Sequence, residues 1–501
     1  MSEKFIRETP VIVGVGEVVD RPSDPRLGKE PLALMAEALR RADDDVGGGF
    51  LQRLGSLDVI NSITWGYASL PAQLCQILDI HPERAAYGVI GGDTPMRYIH
   101  EAALRIARGE VDFAAICGAE ATRSLLDAKK ANIELPWTIG GGKPETPRRE
   151  GLIHSVAIRN GLSKPLVVYP IYEYANRYAW GQSFEQAQTE TDQLWSQFSS
   201  VAASNPYAWI RRFFRPSEIS TSCPDNRLVA GPYTKRMVAN PTVNQGAAVL
   251  LTSFGTAKAM GIPDHRIVFL WGGSAASEPA DFLSRDQYEH SWAMDVVLEA
   301  AQALCRKNRE EFELVELYSC FPCVPKMARR VLNWSHHKLS TVAGGLTFFG
   351  GPYNNYMTHA TAAMTRSLRE HRQTVGLLFG LGGFVTKHHA LVVATHPPVN
   401  RLSSSYGVQA DVDRRRGTVP VIEEAFVGSA TVETYTIAYD RNGEPEHGIV
   451  LARTDKGSRL VARIDGKDVY TLAFLTDPRR RVIGIRGTTS PREDGLLDWT
   501  F

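Results

Sequence analysis

Two side chains are placed where acid–base chemistry is possible, at the ends of predicted elements. Tyr318 closes an apolar run at 313–318 that is typical of a buried strand, and a phenol there can donate a hydrogen bond or exchange a proton. Asp93 stands just before a helix predicted over 95–108, which Pro95 opens. A carboxylate in that place can cap the helix or serve as a base, and the sequence leaves both roles open.

The cysteines and a histidine pair favour structural roles. Cys320 and Cys323 form a C-x-x-C pair, but no second pair or histidine cluster accompanies them, which disfavours zinc. Cys117 lies within a predicted core strand, where a cysteine behaves as a small apolar residue. His388 and His389 follow a core strand without a partner motif, so we interpret them as structural.

Composition indicates an ordinary globular protein and narrows the partners. The 501 residues suffice for two to four folding units, with 43% hydrophobic and 22% charged residues. A net charge of +1 creates no global field for nucleic acid or an anionic membrane. No apolar stretch is long enough to span a bilayer, and no signal peptide is visible. Six cysteines are few for this length and fit a reducing compartment, so we predict a cytoplasmic location.

The elements that must position these side chains occur in two halves of similar order. The first half alternates short apolar strands with amphipathic helices and ends in the strand 111–117, closed by Gly118. The second half repeats this order, with a helix at 292–306 before the strand 313–318 and a second helix before the strand 374–380. This repetition favours a pseudo-twofold α/β domain.

Two other regions differ from that pattern. Residues 121–235 are rich in Trp, Tyr, Arg and Pro and predict an excursion from the core. After a Pro/Ser-rich linker near 398, the chain predicts five short strands in about 80 residues, at 429–439, 448–453, 459–464, 468–475 and 481–486. Such spacing favours a small barrel, plausibly OB-like.

Several stretches resemble the thiolase superfamily, in particular the sterol-carrier-protein-type thiolases. Residues 182–252 resemble the exit of the thiolase loop domain, with NP-A at 205–208, PYTK at 232–235 and QGAA at 245–248. Other landmarks follow in family order: the nucleophile region VIGGDTP, the middle motif VELYSCF, the Gly-His-Pro region GGLTFFGGP and the last loop GLGG. The C-terminal region resembles the extra domain of mycobacterial-type thiolase-like proteins.

The resemblance implies a fold and its division. The fold would be a layered α/β thiolase fold of two βαβαβαββ halves with an inserted loop domain, followed by a small all-β OB-like barrel. The implied segments are an N-terminal half at 1–120, a loop domain at 121–240, a return to the N-terminal half at 241–262, a C-terminal half at 263–397 and the barrel at 398–501.

The chemistry of the family does not carry over. Thiolases, which are acyltransferases such as acetyl-CoA acetyltransferase, need a nucleophilic cysteine, an activating histidine and a second cysteine. Here the nucleophile position falls at Gly92, or at Asp93 if the alignment slips by one residue. The histidine position becomes Gly351 and the second cysteine position becomes Gly380. The resemblance therefore predicts a protein that is not a true thiolase.

Tyr318 takes the place of an oxyanion-binding residue of the middle motif. The steroid side-chain aldolases of the same superfamily also lack the cysteines and resemble this chain at that motif. Tyr318 is therefore a candidate for retro-aldol chemistry, although it could equally fill the hole left by a lost histidine. Tyr353, Asn354 and Asn355 follow the degraded Gly-His-Pro motif and could line the same cavity, while the two asparagines could instead cap the next helix.

A CoA thioester is the ligand that the resemblance implies, as substrate rather than as a permanently bound cofactor. In thiolases the loop domain holds the nucleotide, and Arg211, Arg212 and Lys235 are candidates to pair with its phosphates. A solvated basic face is the alternative for each of them. Thiolases usually dimerise, but the added barrel could block that interface, so a monomer or a homodimer is expected.

Three functions compete at this point. The first is an acyl-CoA enzyme, a lyase or an unusual acyltransferase of lipid metabolism. The second is a non-catalytic acyl-CoA binder that uses the barrel as a partner module. The third is a nucleic-acid protein, since OB barrels often bind single strands. The arginine runs at 414–416 and 479–481 are short and lack a stacking platform, which disfavours the third.

Overall fold

A computed structural model describes residues 3–139, 152–308 and 310–501. The strands are β1 Pro10–Val19, β2 Ser56–Val59, β3 Arg84–Tyr87, β4 Phe113–Ala121, β5 Leu228–Ala230, β6 Tyr233–Thr234, β7 Asn244–Ser253, β8 Val268–Ser277, β9 Leu314–Leu317, β10 Val375–Gly382, β11 Lys387–Ala394, β12 Gly428–Tyr439, β13 Pro445–Arg453, β14 Arg459–Ile464, β15 Arg486–Pro491 and β16 Leu497–Thr500.

The helices complete the inventory. They are α1 Glu3–Glu8, α2 Pro31–Val46, α3 Leu70–Leu78, α4 Thr94–Ala107, α5 Thr122–Ala131, α6 Ser155–Arg159, α7 Pro165–Ala179, α8 Phe184–Ser204, α9 Pro216–Ser220, α10 Phe254–Ala259, α11 Trp292–Lys307, α12 Cys323–Val331, α13 Tyr356–Glu370, α14 Gln409–Arg415 and α15 Val469–Thr476. None of these helices is long and apolar enough to cross a membrane.

A mixed sheet of nine strands forms the centre of the molecule. Its order is β3-β2-β4-β7-β1-β8-β11-β10-β9. In the first half β4 pairs parallel with β2 and antiparallel with β7, and in the second half β10 pairs parallel with β9 and antiparallel with β11. The halves meet where β1 and β8 pair antiparallel. This arrangement confirms the predicted pseudo-twofold α/β domain.

The two halves differ in one detail. The first half follows the βαβαβαββ order, with residues 122–243 between β4 and β7. In the described part of the second half, no strand separates α12 from α13, and one π-helical turn at Gly345–Phe349 lies there instead. This glycine-rich turn has Gly344 and Gly345 at positive φ, which glycine adopts without the steric cost of a Cβ.

The C-terminal region is a closed five-stranded barrel. Its strands follow the order β12-β13-β14-β16-β15 and close through pairing of β12 with both β13 and β15. The pairing of β14 with β16 is parallel, and α15 connects β14 to β15. This topology confirms a small barrel, although it contains a helix and is therefore not purely β.

Two of its predicted strands are wrong. Residues 468–475 form α15, and the strand expected at 481–486 begins only at Arg486. Asp468 accepts a hydrogen bond from the Thr471 backbone N–H at 3.0 Å, which caps the helix. The missing barrel strand is β16, which was not predicted.

Candidate functional site

The ends of β9 and β10 bring the Tyr318 side chain against the start of α4. The Tyr318 backbone N–H donates to the Phe379 carbonyl at 3.1 Å, which fixes the residue directly after β9. An added Cβ on Gly92 would overlap the Tyr318 hydroxyl and lie 2.5 Å from the Leu381 carbonyl oxygen. The phenol oxygen therefore occupies the space in which a nucleophile side chain at position 92 would begin.

The hydroxyl of Tyr318 is held by packing rather than by hydrogen bonds. The residue is 6% exposed, and its ring packs edge-on to Tyr356 with centroids 5.9 Å apart. No residue of the described chain is hydrogen-bonded to its hydroxyl. Burial, with smaller effects of Cys320 and Asp93, raises the pKa of the Tyr318 phenol well above its usual range. The phenol is therefore neutral at physiological pH and can donate a proton or a hydrogen bond.

Asp93 lies beside this phenol in a space made by glycines. An added Cβ on Gly91 or Gly382 would collide with its Oδ1 atom, which is buried and has no partner among the described residues. Burial raises the pKa of the Asp93 carboxyl above its usual range, and the positive charges of Lys387 and Arg97 oppose part of that rise. The side chain makes no capping hydrogen bond to α4.

The other two lost positions differ from each other. An added Cβ on Gly380 would lie 2.9 Å from the Met96 side chain and 3.4 Å from that of Met357, so methionines fill the second cysteine position. An added Cβ on Gly351 would meet nothing closer than 3.4 Å, at the Leu346 carbonyl. A Cβ thus fits at ordinary contact distances at the position predicted for the histidine, whereas neighbours fill the positions predicted for the cysteines.

Asn354 and Asn355 hold backbone together across the two halves. Asn354 Oδ1 accepts from the Gly91 backbone N–H at 3.0 Å, and its Nδ2 donates to the Asn61 carbonyl at 3.1 Å. Asn355 Nδ2 donates to the Gly118 carbonyl at 2.6 Å. Neither side chain caps α13. Both are buried, so they position the loop before α4 and the end of β4.

Tyr353 is the most accessible aromatic candidate, with 37% of its surface exposed. Its φ of +42° is unusual for a bulky residue. Val385, in the loop between β10 and β11 near Asp93, has an equally unusual φ of +58°. Such backbone strain is typical of functional sites, because the surrounding structure has to maintain it.

The predicted phosphate-binding cations lie on the surface of the loop domain. Arg211, Arg212 and Lys235 are exposed. Arg212 pairs with Glu218 at 2.7 Å, and Arg215 pairs with the same carboxylate at 3.3 Å. One acidic residue therefore neutralises part of this basic face, and these contacts do not distinguish a phosphate site from a solvated surface.

Sequence reasoning missed the buried carboxyl of Glu120. Glu120, near the end of β4, accepts hydrogen bonds from the backbone N–H groups of Ile63 at 2.7 Å and Thr64 at 2.8 Å. Burial raises the pKa of Glu120 to about 7, while those hydrogen bonds oppose the rise. The negative charge of Glu120 also contributes to the raised pKa of the Tyr353 phenol. In the sequence, Glu120 is a charged residue that closely follows the strand predicted over 111–117, and this was the signal that could have identified it.

Two further pairs of titratable side chains are buried between elements of the sheet domain. His359 Nδ1 lies 2.6 Å from Glu17 Oε1, and His100 Nδ1 lies 3.0 Å from His389 Nε2. All four side chains are buried. Among residues 3–139, 152–308 and 310–501, no group of three or more His, Cys, Asp or Glu is arranged to hold a metal ion.

Comparisons with known proteins agree with this geometry. Residues 407–491 match the family model of the thiolase-like protein type 1 additional C-terminal domain. A monomeric SCP2-thiolase-like protein type 1 from Mycobacterium smegmatis is similar over 99% of both chains, with 28% identity and a TM-score of 0.83. None of the curated proteins matches the chain significantly by sequence.

Two more distant structures match the thiolase-like part. The Ltp2-ChsH2(DUF35) aldolase is similar over 78% of this chain and 100% of its own, with 15% identity and a TM-score of 0.59. Human mitochondrial 3-ketoacyl-CoA thiolase, in complex with CoA, is similar over 78% of this chain and 99% of its own, with 14% identity and a TM-score of 0.54. At these identities the likeness establishes the fold alone.

The chain has the fold of the thiolase superfamily, with glycines at the three positions predicted for the catalytic residues. It also carries the additional C-terminal domain of thiolase-like protein type 1 and is similar along its whole length to the mycobacterial protein of that type.

Proposed function

We propose that this protein binds CoA thioesters and breaks a carbon–carbon bond in them by retro-aldol chemistry. The observation that carries the proposal is the pairing of two groups at the start of α4. The neutral Tyr318 phenol occupies the space beside Gly92, and the carboxyl of the next residue, Asp93, has an unpaired Oδ1 and contributes to the raised pKa of the phenol. Groups with opposite acid–base roles in one recess are what such a cleavage requires.

In this reaction the substrate is a 3-hydroxyacyl-CoA. The ionised Asp93 carboxylate takes the proton of the 3-hydroxyl group, and the hydroxyl oxygen forms a carbonyl as the bond between C2 and C3 breaks. The electron pair of that bond moves to C2 and gives the enolate of the shorter thioester. Tyr318 donates its proton to C2 of this enolate and recovers one from the protonated Asp93, which yields a shorter acyl-CoA and an aldehyde or ketone and restores both groups.

Binding of CoA rests on fold and charge. The human thiolase with the same fold is in complex with CoA. The exposed Arg211, Arg212 and Lys235 of the loop domain supply positive charge for its phosphates. Tyr353 and the backbone clamped by Asn354 and Asn355 would form the wall of the acyl cavity.

The direct test uses a series of 3-hydroxyacyl-CoA thioesters of increasing chain length. We expect the wild type to release a carbonyl product and a shorter acyl-CoA, detected by mass spectrometry. Tyr318→Phe should lower kcat/KM by about 10²-fold or more, because it removes the acid. Tyr470→Phe is the control, since Tyr470 lies on the barrel and is 87% exposed. Cleavage that survives Tyr318→Phe would contradict the role of the phenol.

A non-catalytic acyl-CoA binder is the alternative function. It is favoured by the packing of Met96 and Met357 against Gly380, which leaves no room for a second catalytic group there. Calorimetric binding of CoA without cleavage of any thioester in the series would support it. Absence of binding to any CoA species would contradict both functions.

We also propose that the protein is a cytoplasmic monomer and that nucleic acid is not its ligand. The similar mycobacterial structure is described as monomeric. Light scattering coupled to size-exclusion chromatography should give a mass near the 55.3 kDa of one chain, and a mass of twice that value would establish a homodimer.

A further inference from the structure

A cleft separates the loop domain from the barrel, and none of its lining residues belongs to the site around Tyr318 and Asp93. It encloses about 150 Å³. The loop-domain wall comes from the end of α7 and the start of α8, and the barrel wall comes from the segment between α15 and β15. The lining residues are Arg177, Tyr178, Gln182, Ser183, Phe184 and residues 478–483.

Four arginines line this cleft, and no acidic residue does. Asp477 lies at its edge and pairs with Arg479 at 2.9 Å and with Arg480 at 3.4 Å. No carboxylate of the described chain pairs with Arg177 or Arg481. The cleft therefore keeps an excess of positive charge.

The start of α8 adds to this charge. Ser183 is the N-cap of this 21-residue helix and lines the cleft. The N-terminus of a helix carries a partial positive charge, which favours an anion, although a capping box already bonds the Ser183 and Gln186 N–H groups here. Glu185 in the first turn is exposed and does not line the cleft.

The guanidinium of Arg177 is held in place without being neutralised. It lies 5.4 Å from the ring centroid of Tyr174 and 5.7 Å from that of Phe184. Aromatic faces position the arginine without neutralising its charge, and one of its N–H groups is hydrogen-bonded to the Tyr435 hydroxyl. Arg177 and Phe184 also line a separate small cavity together with Glu173 and Tyr233.

We propose that this cleft binds the diphosphate group of a small phosphorylated ligand, at a site separate from the CoA site. Guanidinium groups match phosphate oxygens in bidentate geometry, and small-molecule sites occur preferentially between domains. The volume is below the roughly 300 Å³ of a site for a drug-sized ligand, so it encloses the phosphoryl groups rather than a whole cofactor.

Calorimetric titration with inorganic pyrophosphate tests the site on the full chain. We expect saturable binding with one site per protein, and the double variant Arg479→Ala/Arg481→Ala should weaken it by about tenfold or more. Arg441→Ala is the matched control, because it removes one exposed arginine of the barrel outside the cleft. Arg211→Ala/Arg212→Ala tests independence from the CoA site and should leave pyrophosphate affinity within about twofold.

The outcomes separate this proposal from the proposed function. Absence of saturable binding would overturn the site. A loss of pyrophosphate affinity in the Arg441 variant equal to the loss per arginine in the double variant would also overturn it. Loss of pyrophosphate binding in the Arg211/Arg212 variant would place the anion on the CoA face and would also overturn it. Failure of CoA cleavage or CoA binding with pyrophosphate binding intact would overturn only the proposed function. Unchanged circular dichroism and thermal midpoint in the double variant show that it folds.

Discussion

At the scale of single residues, the space left by a missing side chain is filled by a neighbour with its own chemistry. A buried cavity costs free energy because the side chains around it lose contacts. The Tyr318 side chain fills the space beside Gly92, so no such cavity forms there. The Tyr318 side chain that fills this space also places a phenol hydroxyl at the N-terminus of α4. Packing alone would be satisfied by phenylalanine, and the hydroxyl is what makes the residue a candidate acid.

Asp93→Asn should distinguish the contribution of Asp93 as the base from that of Tyr318 as the acid. Burial raises the pKa of Asp93 above the usual value of about 4 for this carboxyl. Asp93 therefore loses its charge, and its ability to act as a base, at a higher pH than an ordinary aspartate does. We expect kcat/KM of the wild type to fall as the pH decreases through that raised pKa, and the variant to lose about 10²-fold or more with no such acid limb. Asp44→Asn on the exposed side of α2 is the control. An unchanged acid limb in Asp93→Asn would assign it to another group.

Gly92→Cys should not restore a thiolase. The new Cβ would overlap the Tyr318 hydroxyl, and overpacking of this kind typically costs about 1–3 kcal/mol. We expect a lower midpoint in urea unfolding and no thiolysis of acetoacetyl-CoA. Adding Tyr318→Ala should recover part of the stability, because it removes the overlapping atoms. Wild-type stability of Gly92→Cys would mean that the space is empty.

At the scale of elements, the start of α4 is positioned from the opposite half of the sheet. Asn354 reaches from the loop before α13 to the Gly91 N–H and the Asn61 carbonyl, so the two halves set the site jointly. A shift of either half would move Gly92 and Asp93 relative to Tyr318.

Asn354→Ala should therefore weaken the fold and the site together. It leaves a buried N–H and a buried carbonyl without their partner, which typically costs about 1–3 kcal/mol. Asn400→Ala in the exposed linker is the control and should change the free energy of unfolding by less than about 0.5 kcal/mol. Urea unfolding measures both variants, and equal effects would contradict the clamp.

Element type was predicted best where the hydrophobic period was long. α4 and α11 agree with the sequence to within about three residues, since each has a long amphipathic pattern. The helix α15 was predicted as a strand because its run VYTLAFL is apolar on all sides and short, so it has no period to distinguish the two. Packing against the barrel and the Asp468 cap decide in favour of the helix.

At the scale of the whole molecule, the barrel is joined to the thiolase-like part through buried contacts. Arg459 on β14 is fully buried and donates to the Arg285 carbonyl at 2.6 Å, while also pairing with Glu433 at 2.7 Å. Strand β5 of the loop domain pairs with β12 of the barrel, so one sheet crosses from one part to the other.

Arg459→Met should loosen this junction. Removing Arg459 leaves the Leu283 and Arg285 carbonyls without their donor and leaves Glu433 paired with Arg453 alone, which typically costs about 1–3 kcal/mol. Arg486→Ala is the control, because the Arg486–Asp455 pair is mostly exposed and should contribute less than about 1 kcal/mol. We expect a lower unfolding midpoint and faster proteolysis of the linker near 398–407 only in Arg459→Met. Equal cleavage rates in both variants would mean that the barrel docks by other contacts.

The sequence by itself determined the two-half sheet and the added barrel, and it predicted glycines at the positions of the catalytic residues. These properties follow from hydrophobic period, glycine-rich turns and landmark order, all of which are local. The division into five segments, including the loop-domain limits at 121 and 240, stays a prediction.

Only the tertiary structure decided what replaced the missing cysteine. The contact between Tyr318 and Gly92 joins residues more than two hundred positions apart, on different halves of the sheet, and no periodicity encodes it. The same holds for the unpaired Asp93 oxygen, the Asn354 clamp and the arginine-lined cleft, since burial and charge balance arise from neighbours that are distant in the chain. An absent side chain can be read from sequence, whereas the atom that fills its space depends on how the two halves pack.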